Sequence, residues 1–346
     1  MFDARRNKIK VGDTVSLEIP SRNVTGEIRE MDEGSVDLIL TDPPYFRVKS
    51  DWWDRQWDSA DGFLAWIDRL AEQWQRVLKP NGSLYVFASP EMAARVEVTM
   101  RQRFNVLNRI RWVKKAGWHN KTEPEALRGY LSPWEEIIFA EQFGNAYEDA
   151  AQALHKQVFS PLGRYIQVER ERAGLSRSEV EVALGYVSTG DPTRGTALCY
   201  RWEEGSSLPT AETYERLRGL LNERGKKPDE YLRRDYEELR ADYEALRRPF
   251  AVTARMPYTD VWDFATVQRG YGKHPCEKPL ALLQHIIAVS SKPDALVLDC
   301  CMGSGNTLRA AKYLGRQAIG IDIERHWCEV AARRLQQEVL PLSDTA

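Results

Sequence analysis

No apolar run in the 346-residue sequence reaches the roughly 18 residues that a membrane-spanning helix needs, and 29% of the chain is charged. Both features exclude a transmembrane class. Met1-Phe2-Asp3-Ala4-Arg5-Arg6 carries neither the apolar segment nor the cleavage site of a signal peptide, which predicts a cytoplasmic protein. Cysteine is scarce: Cys199, Cys276, Cys300, Cys301 and Cys328 form no Cys-x-x-Cys pair and show no zinc spacing. An odd number in that pattern predicts reduced thiols, with no disulfide framework and no metal site. Net charge is also nearly absent, at −2, so no global field draws the chain to nucleic acid and any such binding must rest on local patches. One patch is present. Between Arg101 and Arg128 the bases Arg101, Arg103, Arg109, Arg111, Lys114, Lys115, Lys121 and Arg128 meet only Glu123 and Glu125 in sequence, and Lys114 and Lys115 are its candidate nucleic-acid contacts.

What is there alternates between two periods. Val36 to Leu40 is a short apolar run bounded by Gly34-Ser35 and by Asp42-Pro43-Pro44, which predicts a buried strand. Phe63, Trp66, Ile67, Leu70, Trp74 and Val77 recur at helical spacing, and Lys79-Pro80-Asn81-Gly82 is expected to stop that helix before a strand over Ser83 to Ala88. Further strands are predicted around Val106 to Val113 and Glu136 to Ala140. This rhythm predicts an α/β fold, a largely parallel sheet with helices on its faces. Near Gly144 the pattern changes, and from about Pro161 to Leu221 short helices with tight turns are expected. Leu232, Tyr236, Leu239, Tyr243, Leu246 and Phe250 then follow a heptad seam, either a helical spacer or the contact face of a homodimer coiled coil. The α/β pattern resumes after about Val261, so one α/β domain is split by an insertion.

Two motifs carry chemistry. Ala295 to Leu298 is an apolar strand ending in Asp299, Gly303-Ser304-Gly305 a turn, Thr307 to Leu314 a helix, and Ala318 to Ile321 a second strand ending in Asp322. Strand, glycine turn, helix, strand and acid build a nucleoside-binding crevice: glycines admit close approach of the backbone, and the later carboxylate accepts hydrogen bonds from ribose hydroxyls. The other motif is Thr41-Asp42-Pro43-Pro44-Tyr45. An exocyclic amine on a nucleobase is a poor nucleophile, because its lone pair is delocalised, so a site that uses it must hold it by its protons. The Asp42 side chain and the Pro43 carbonyl are two acceptors suited to that task, pulling the nitrogen toward tetrahedral geometry as it meets a sulfonium methyl. Pro43 and Pro44 fix the carbonyl's direction. Tyr45, with Phe46 beside it, is placed to stack on the base.

With these motifs the chain resembles the permuted, beta-type class of site-specific DNA amino-methyltransferases over roughly residues 33 to 143 and 258 to 335. Lys79-Pro80-Asn81-Gly82-Ser83-Leu84 and His274-Pro275-Cys276-Glu277-Lys278-Pro279-Leu280 add to the likeness, the latter being similar to the family's His-Pro-x-x-Lys-Pro run. The resemblance implies a Rossmann-like S-adenosylmethionine-dependent methyltransferase with circularly permuted motif order, acting on double-stranded DNA at adenine N6, or alternatively at cytosine N4. It implies Asp42, Pro43, Pro44 and Tyr45 as catalytic residues. Asp299, Cys301, Gly303, Ser304, Gly305, Asn306, Thr307 and Asp322 would bind the cofactor, with Lys278, Pro279 and, through a Gly12-Asp13 pair, Asp13. Where the family has Asp-Pro-Phe this chain has Asp299-Cys300-Cys301, and Asn306 replaces a usual threonine.

The domain division expected is a catalytic half over 1–150, an insertion over 155–225, a heptad connector over 229–250 and a cofactor-binding half over 251–346. The insertion, from Leu162 through Ser176-Arg177-Ser178-Glu179 to Trp202-Glu203-Glu204-Gly205 and the helix Glu212 to Leu221, resembles a phage-repressor-type helix-turn-helix segment. That likeness makes it the target-recognition element, with Arg194, Thr196, Tyr200 and Arg201 as candidate DNA contacts. An RNA or protein amine methylase, and a DNA-binding regulator with an inactive methylase core, are the rival readings. No nuclease motif is evident, so restriction would need a separate endonuclease as partner.

Overall fold

The computed structural model describes residues 8–11, 16–18, 28–114, 128–142, 149–227, 230–252, 258–267 and 276–336. Asp13 and Lys115, together with Gly12, Lys121, Glu123, Glu125, His274 and Pro275, lie outside the described residues. The chain divides into two compact units, 1–146 with 248–346, and 147–247.

In the first unit the strands are β1 (Lys8–Val11), β2 (Ser16–Glu18), β3 (Val36–Thr41), β4 (Leu78–Ala88), β5 (Asn105–Val113) and β6 (Trp134–Glu141). After β7 (Val187–Ser188) and β8 (Asp191–Gly195) of the second unit come β9 (Val261–Asp263), β10 (Leu296–Asp299) and β11 (Gln317–Ile321). Nine form one sheet in the order β2-β1-β11-β10-β3-β4-β6-β5-β9. Its centre, from β11 through β10 and β3 to β4, is parallel. Both flanks add antiparallel pairs, β1 with β11 and β2 on one side, β6 with β4 and β5 on the other, so the sheet is mixed rather than largely parallel.

Helices α1 (Ala60–Val77) and α2 (Ala93–Met100) cover one face. In α1, Phe63, Ile67, Leu70, Trp74 and Val77 are buried, and the Ser59 hydroxyl caps its start by accepting the Gly62 N–H. They meet Ile39, Leu84, Val86 and Ile138, while the alternate residues Leu38, Leu40, Tyr85 and Phe87 face the opposite layer. The helix does stop at Val77, but the following residues 79–82 belong to β4. Val36 pairs with Leu78 and Leu38 with Ser83, so these residues form a bulge opposite Asp37, whose carboxylate accepts from the Lys79 ammonium at 2.7 Å.

The second unit contains α3 (Asp149–Ala173), α4 (Arg177–Ala183), α5 (Leu198–Glu203), α6 (Ala211–Arg224) and α7 (Tyr236–Leu246). The opposite layer of the first unit is made by α8 (Leu280–Ser290), α9 (Asn306–Tyr313) and α10 (Arg325–Gln336). Val187 to Gly195 form a β7–β8 hairpin between α4 and α5, within the stretch Tyr186 to Ala197 that is longer and richer in glycine than the tight turn of a helix-turn-helix. The second unit departs from the sequence expectation in two places. Pro161, about where the short helices were expected to begin, lies inside the 25-residue α3. The heptad seam is neither a free connector nor an open face: Leu232 and Leu239 are fully buried, with Tyr236, Tyr243 and Leu246 packed against the same core as Ile166, Trp202 and Tyr214.

Buried charge organises this unit. Ser176 and Glu179 form a capping box at the start of α4. Glu181 accepts the backbone N–H groups of Ala197 (3.0 Å) and Cys199 (2.6 Å), fixing the first turn of α5. The Glu203 carboxylate, almost wholly buried, accepts from Arg170 at 2.5 Å and from Arg177 at 2.6 Å. Removing one member of a buried pair leaves the others uncompensated and costs about 3 to 5 kcal/mol. Glu203→Ala is therefore expected to lower protection of α3, α5 and α6 amides in native-state hydrogen exchange, while protection in β3, β4 and β6 stays as in the wild type.

Candidate functional site

The two motifs meet because β3 and β10 pair in parallel, Leu298 beside Ile39. From β3 the chain crosses through α1 to β4 on one side, and from β10 through α9 to β11 on the other. Strand order reverses between them, and at such a switch point the loops after the two carboxyl ends diverge and leave a crevice. Thr41 and Asp42 end one strand and Asp299 the other. The Thr41 Oγ1 lies 3.2 Å from Cys300 Sγ, across a sequence separation of 259 residues.

Asp42 is the centre of a buried charge cluster. Its Oδ2 lies 2.7 Å from the Lys278 Nζ, which comes from the segment just before α8. That ammonium also contacts Glu135 Oε2 of β6 and donates to the Tyr45 hydroxyl, both at 3.0 Å. Tyr45 donates in turn to Glu135 Oε2 at 3.0 Å, and Lys114 pairs with Glu135 Oε1. Rings support the cation as well, with Lys278 Nζ 5.0 Å from the Tyr45 centroid and 4.9 Å from that of Phe87. Asp42 Oδ1 is buried with no hydrogen-bond partner among the described residues. Burial pushes the Asp42 carboxyl above its ordinary range, against the pull of Lys278. Burial acts the same way on Glu135, but Lys278 and Lys114 outweigh it and hold that group at about 2. Burial opposes the charge on Lys278 too, and Asp42 with Glu135 overcomes it and raises the ammonium's pKa.

The turn that carries the Asp-Pro-Pro-Tyr run is held from behind. Asp54, fully buried, accepts the backbone N–H groups of Tyr45 (2.7 Å) and Lys49 (2.5 Å). Phe46, with a positive φ of 64°, stacks on Phe63 at 5.6 Å under the Arg47 guanidinium, so its ring is committed to the core rather than to a ligand.

On the other side of the crevice, Gly303 (φ 49°) and Gly305 (φ 81°) adopt the left-handed backbone that glycine favours. A Cβ at Gly305 would come within 2.6 Å of Ala331 Cβ, so this glycine also lets α10 pack closely. Asp322 closes the turn: its Oδ2 accepts from Gly303 N and its Oδ1 from Glu324 N, each at 2.8 Å. Each oxygen keeps a second lone pair, so the pattern fits a nucleoside diol. Burial raises the Asp322 carboxyl to about 6. Asp299 accepts from Cys301 N at 3.1 Å, and burial raises it to about 7.

Ser304, Asn306 and Thr307 are buried. The Ser304 hydroxyl and the Asn306 amide both donate to Glu277 at 2.8 Å, and Arg334 of α10 bonds Glu277 and Asn306. The side chains of Ser304 and Asn306 thus lock the turn. Pro279 is the residue before α8 and carries no side-chain cap.

The candidate DNA contacts separate into two sets. Arg194, Thr196, Tyr200 and Arg201 are exposed around β8 and α5. Four of the patch's bases are fixed by acids that lie outside the Arg101–Arg128 run or come from β6. Arg101 and Arg109 pair with Glu97, Arg109 also with Glu136, Arg103 with Asp68 and Lys114 with Glu135. Lys114 is therefore part of the charge cluster rather than a surface phosphate contact. Glu135 and Glu277 were not legible as site residues. Glu135 sits near the start of a strand buried on both faces and Glu277 beside a lysine, and only tertiary partners reveal their work.

Residues 36–333 match the family described as DNA methylase, the N6/N4 methyltransferases. The chain is 26% identical over 313 residues to the DNA adenine methyltransferase YhdJ of Escherichia coli, covering 89% of this chain and 79% of that one. It is likewise 26% identical over 333 residues to the type II methyltransferase M1.MboII of Moraxella bovis, covering 92% and 96%. Among solved structures, the PvuII cytosine-N4 DNA methyltransferase aligns with a TM-score of 0.51 at 12% identity, over 91% of this chain and 84% of that one, a likeness of fold.

The shift at Asp299 has a stability consequence. A carboxyl whose native pKa is raised from 3.8 to about 7 contributes most below the lower value, and that contribution is lost as pH rises through the higher one. Asp299→Asn keeps the acceptor for Cys301 N and removes the buried charge. Thermal denaturation of the unliganded protein should show the variant's melting temperature gaining on the wild type between pH 4 and pH 8. A difference that stays constant across that range would refute the assignment.

Proposed function

The chain belongs to the DNA methylase family that its residues 36–333 match, and from that premise we propose that it methylates the N6 amine of adenine in double-stranded DNA, using S-adenosylmethionine. The observation that carries the reading is Asp42: one oxygen bound to Lys278 and the other buried without a partner, at the end of a strand that pairs with the strand leading into the glycine turn. A buried acceptor left open costs free energy unless a donor arrives. An exocyclic amine is such a donor.

S-adenosylmethionine supplies an electrophilic methyl group on a sulfonium. Asp322 is suited to accept from its ribose hydroxyls, and the backbone of the turn at Gly303 and Gly305 admits its close approach. Cys301, half-buried where the family has an aromatic residue, leaves a smaller wall on that side. Asp42 Oδ1 and the Pro43 carbonyl accept hydrogen bonds from the two amine N–H groups, which raises the nitrogen's nucleophilicity and fixes its direction, and the one proton the nitrogen loses on methylation can leave by way of the Asp42 carboxylate. The target base must leave the duplex to reach them, at a cost of a few kcal/mol. Tyr45, whose ring bears the Lys278 ammonium on one face, offers the other for stacking. The name of the YhdJ relative supports adenine over cytosine. The exposed residues Arg194, Thr196, Tyr200 and Arg201 are the proposed sequence readers of a helix-turn-helix-like insertion. Restriction would require a separate endonuclease, and homodimerisation would have to use a surface other than the buried heptad seam.

Incubation of duplex DNA with the protein and labelled S-adenosylmethionine, followed by digestion to nucleosides, tests the reading. Label in N6-methyldeoxyadenosine is the expected result, and label only in N4-methyldeoxycytidine or only in RNA would overturn it. Asp42→Ala should lower turnover by roughly 10²-fold or more, with cofactor affinity by calorimetry kept within a few-fold. Equal loss of both would point to a structural role for the residue.

A further inference from the structure

A cluster of four charged side chains and a tyrosine is a large investment for a site whose chemistry needs one carboxylate and one carbonyl. Asp42 Oδ2 is occupied by Lys278, while Oδ1 is buried and unpartnered. Lys278 is itself only 7% exposed and touches Glu135 and Tyr45. Glu135 has its second oxygen tied to Lys114, whose backbone N–H is fixed by the Pro133 carbonyl at 2.8 Å. The order is therefore a relay of alternating charge, Lys114, Glu135, Lys278 and Asp42, running from β5 and β6 to the end of β3.

We propose that Lys278 and Glu135 are positioning residues for Asp42. Lys278 takes Oδ2 and so reserves Oδ1 for the target amine, and Glu135, anchored by Lys114, holds the Lys278 ammonium in that place. The inference rests on the methylase reading and deepens it, since that reading requires Asp42 alone.

The physical reason is the depth of the site. A buried carboxylate that must accept a hydrogen bond is best ionised, and burial works against ionisation. A cation at one oxygen keeps the charge on the group, and a cation so deep needs a carboxylate of its own. Glu135 serves that need at a distance that also opposes the charge on Asp42, so the two partners act on Asp42 with opposite sign. Other groups facing Asp42 are Tyr45 from its own segment, Cys276 from the segment before α8 and Asp299 from β10. None of these is a cation. Lys278 is thus the positive partner of Asp42 among the described residues, and an isosteric loss of its charge cannot be made good by a neighbour.

Two isosteric variants, Lys278→Met and Glu135→Gln, separate this role from packing. Asp42 is followed by carbon-13 NMR of carboxyl-labelled aspartate in the free protein, assigned with Asp42→Asn, and turnover on duplex DNA is measured in parallel. The Asp42 titration midpoint is expected to rise by a pH unit or more in Lys278→Met and to fall in Glu135→Gln. Turnover should drop at least tenfold in Lys278→Met, most steeply at low pH, with cofactor affinity little changed. Midpoints that do not move, or that move in the same direction in both variants, would overturn the inference, and Glu135→Gln alone decides if the other variant does not fold. The titration is read without cofactor or DNA, so a wild type that methylates no DNA would sink the functional reading while the NMR still judges the pair.

Discussion

The parallel pairing of β3 with β10 is the constraint on which the site depends. It joins segments some 259 residues apart and places Thr41 against Cys300, so that the acid-proline turn and the glycine turn follow the carboxyl ends of adjacent strands. Asp37 reinforces the junction at its other end, where its Oδ2 accepts the Leu296 N–H at 2.9 Å and its Oδ1 takes the Lys79 ammonium. A partly buried acid in the middle of an apolar run would ordinarily weaken a strand. Here it registers one strand on another, because each of its oxygens has a donor. The order of motifs along the chain is immaterial to such a site. What matters is that the crossovers leave β3 and β10 in opposite directions.

Much of this was readable from residues alone, and the reasons are local. Val36 to Leu40 and Ala295 to Leu298 are apolar runs with turn residues at their ends, and the left-handed glycines at 303 and 305 mark a turn wherever they occur. The helix over Phe63 to Val77 declared itself by a spacing that a strand cannot use. What remained hidden depends on partners remote in sequence. The residues after Val77 carry a proline and a glycine and resemble a stop, yet β3 recruits them as a bulge. Pro161 resembles a boundary and is interior to α3. The heptad seam has the period of an exposed dimer face, and a periodicity cannot say which surface it meets. The unit's own helices supply that surface.

Charge was the least legible property. A run of bases between Arg101 and Arg128 looks unopposed when only neighbours in sequence are counted. Asp68 of α1, Glu97 of α2 and Glu135 and Glu136 of β6 convert Arg101, Arg103, Arg109 and Lys114 into fixed pairs. The side chains in these pairs are partly or largely buried. Their consequence is geometric: Lys114 is drawn inward, to anchor Glu135. Glu277 behaves similarly, since a residue that sequence comparison would treat as a spacer between Cys276 and Lys278 holds Ser304, Asn306 and Arg334 together. The glycine turn is therefore stiffened by side chains.

The split of the first unit by residues 147–247 raises the question of how a chain can leave a sheet for so long and return in register. Closing a long loop costs only slowly more with length, so the requirement is that the ends be fixed close together. They are. Arg248, where the first unit resumes, lies 2.7 Å through its Nε from Oε2 of Glu141, the last residue of β6. Its guanidinium also sits 5.2 Å and 5.3 Å from the rings of Phe139 and Phe250, which stack on each other at 5.7 Å. Arg248 thus fastens the segment where the first unit resumes to the end of β6 by one cation-aromatic clasp. The intervening unit closes a core of its own, with Leu162, Trp202, Tyr214 and Leu239 all buried, as a domain does.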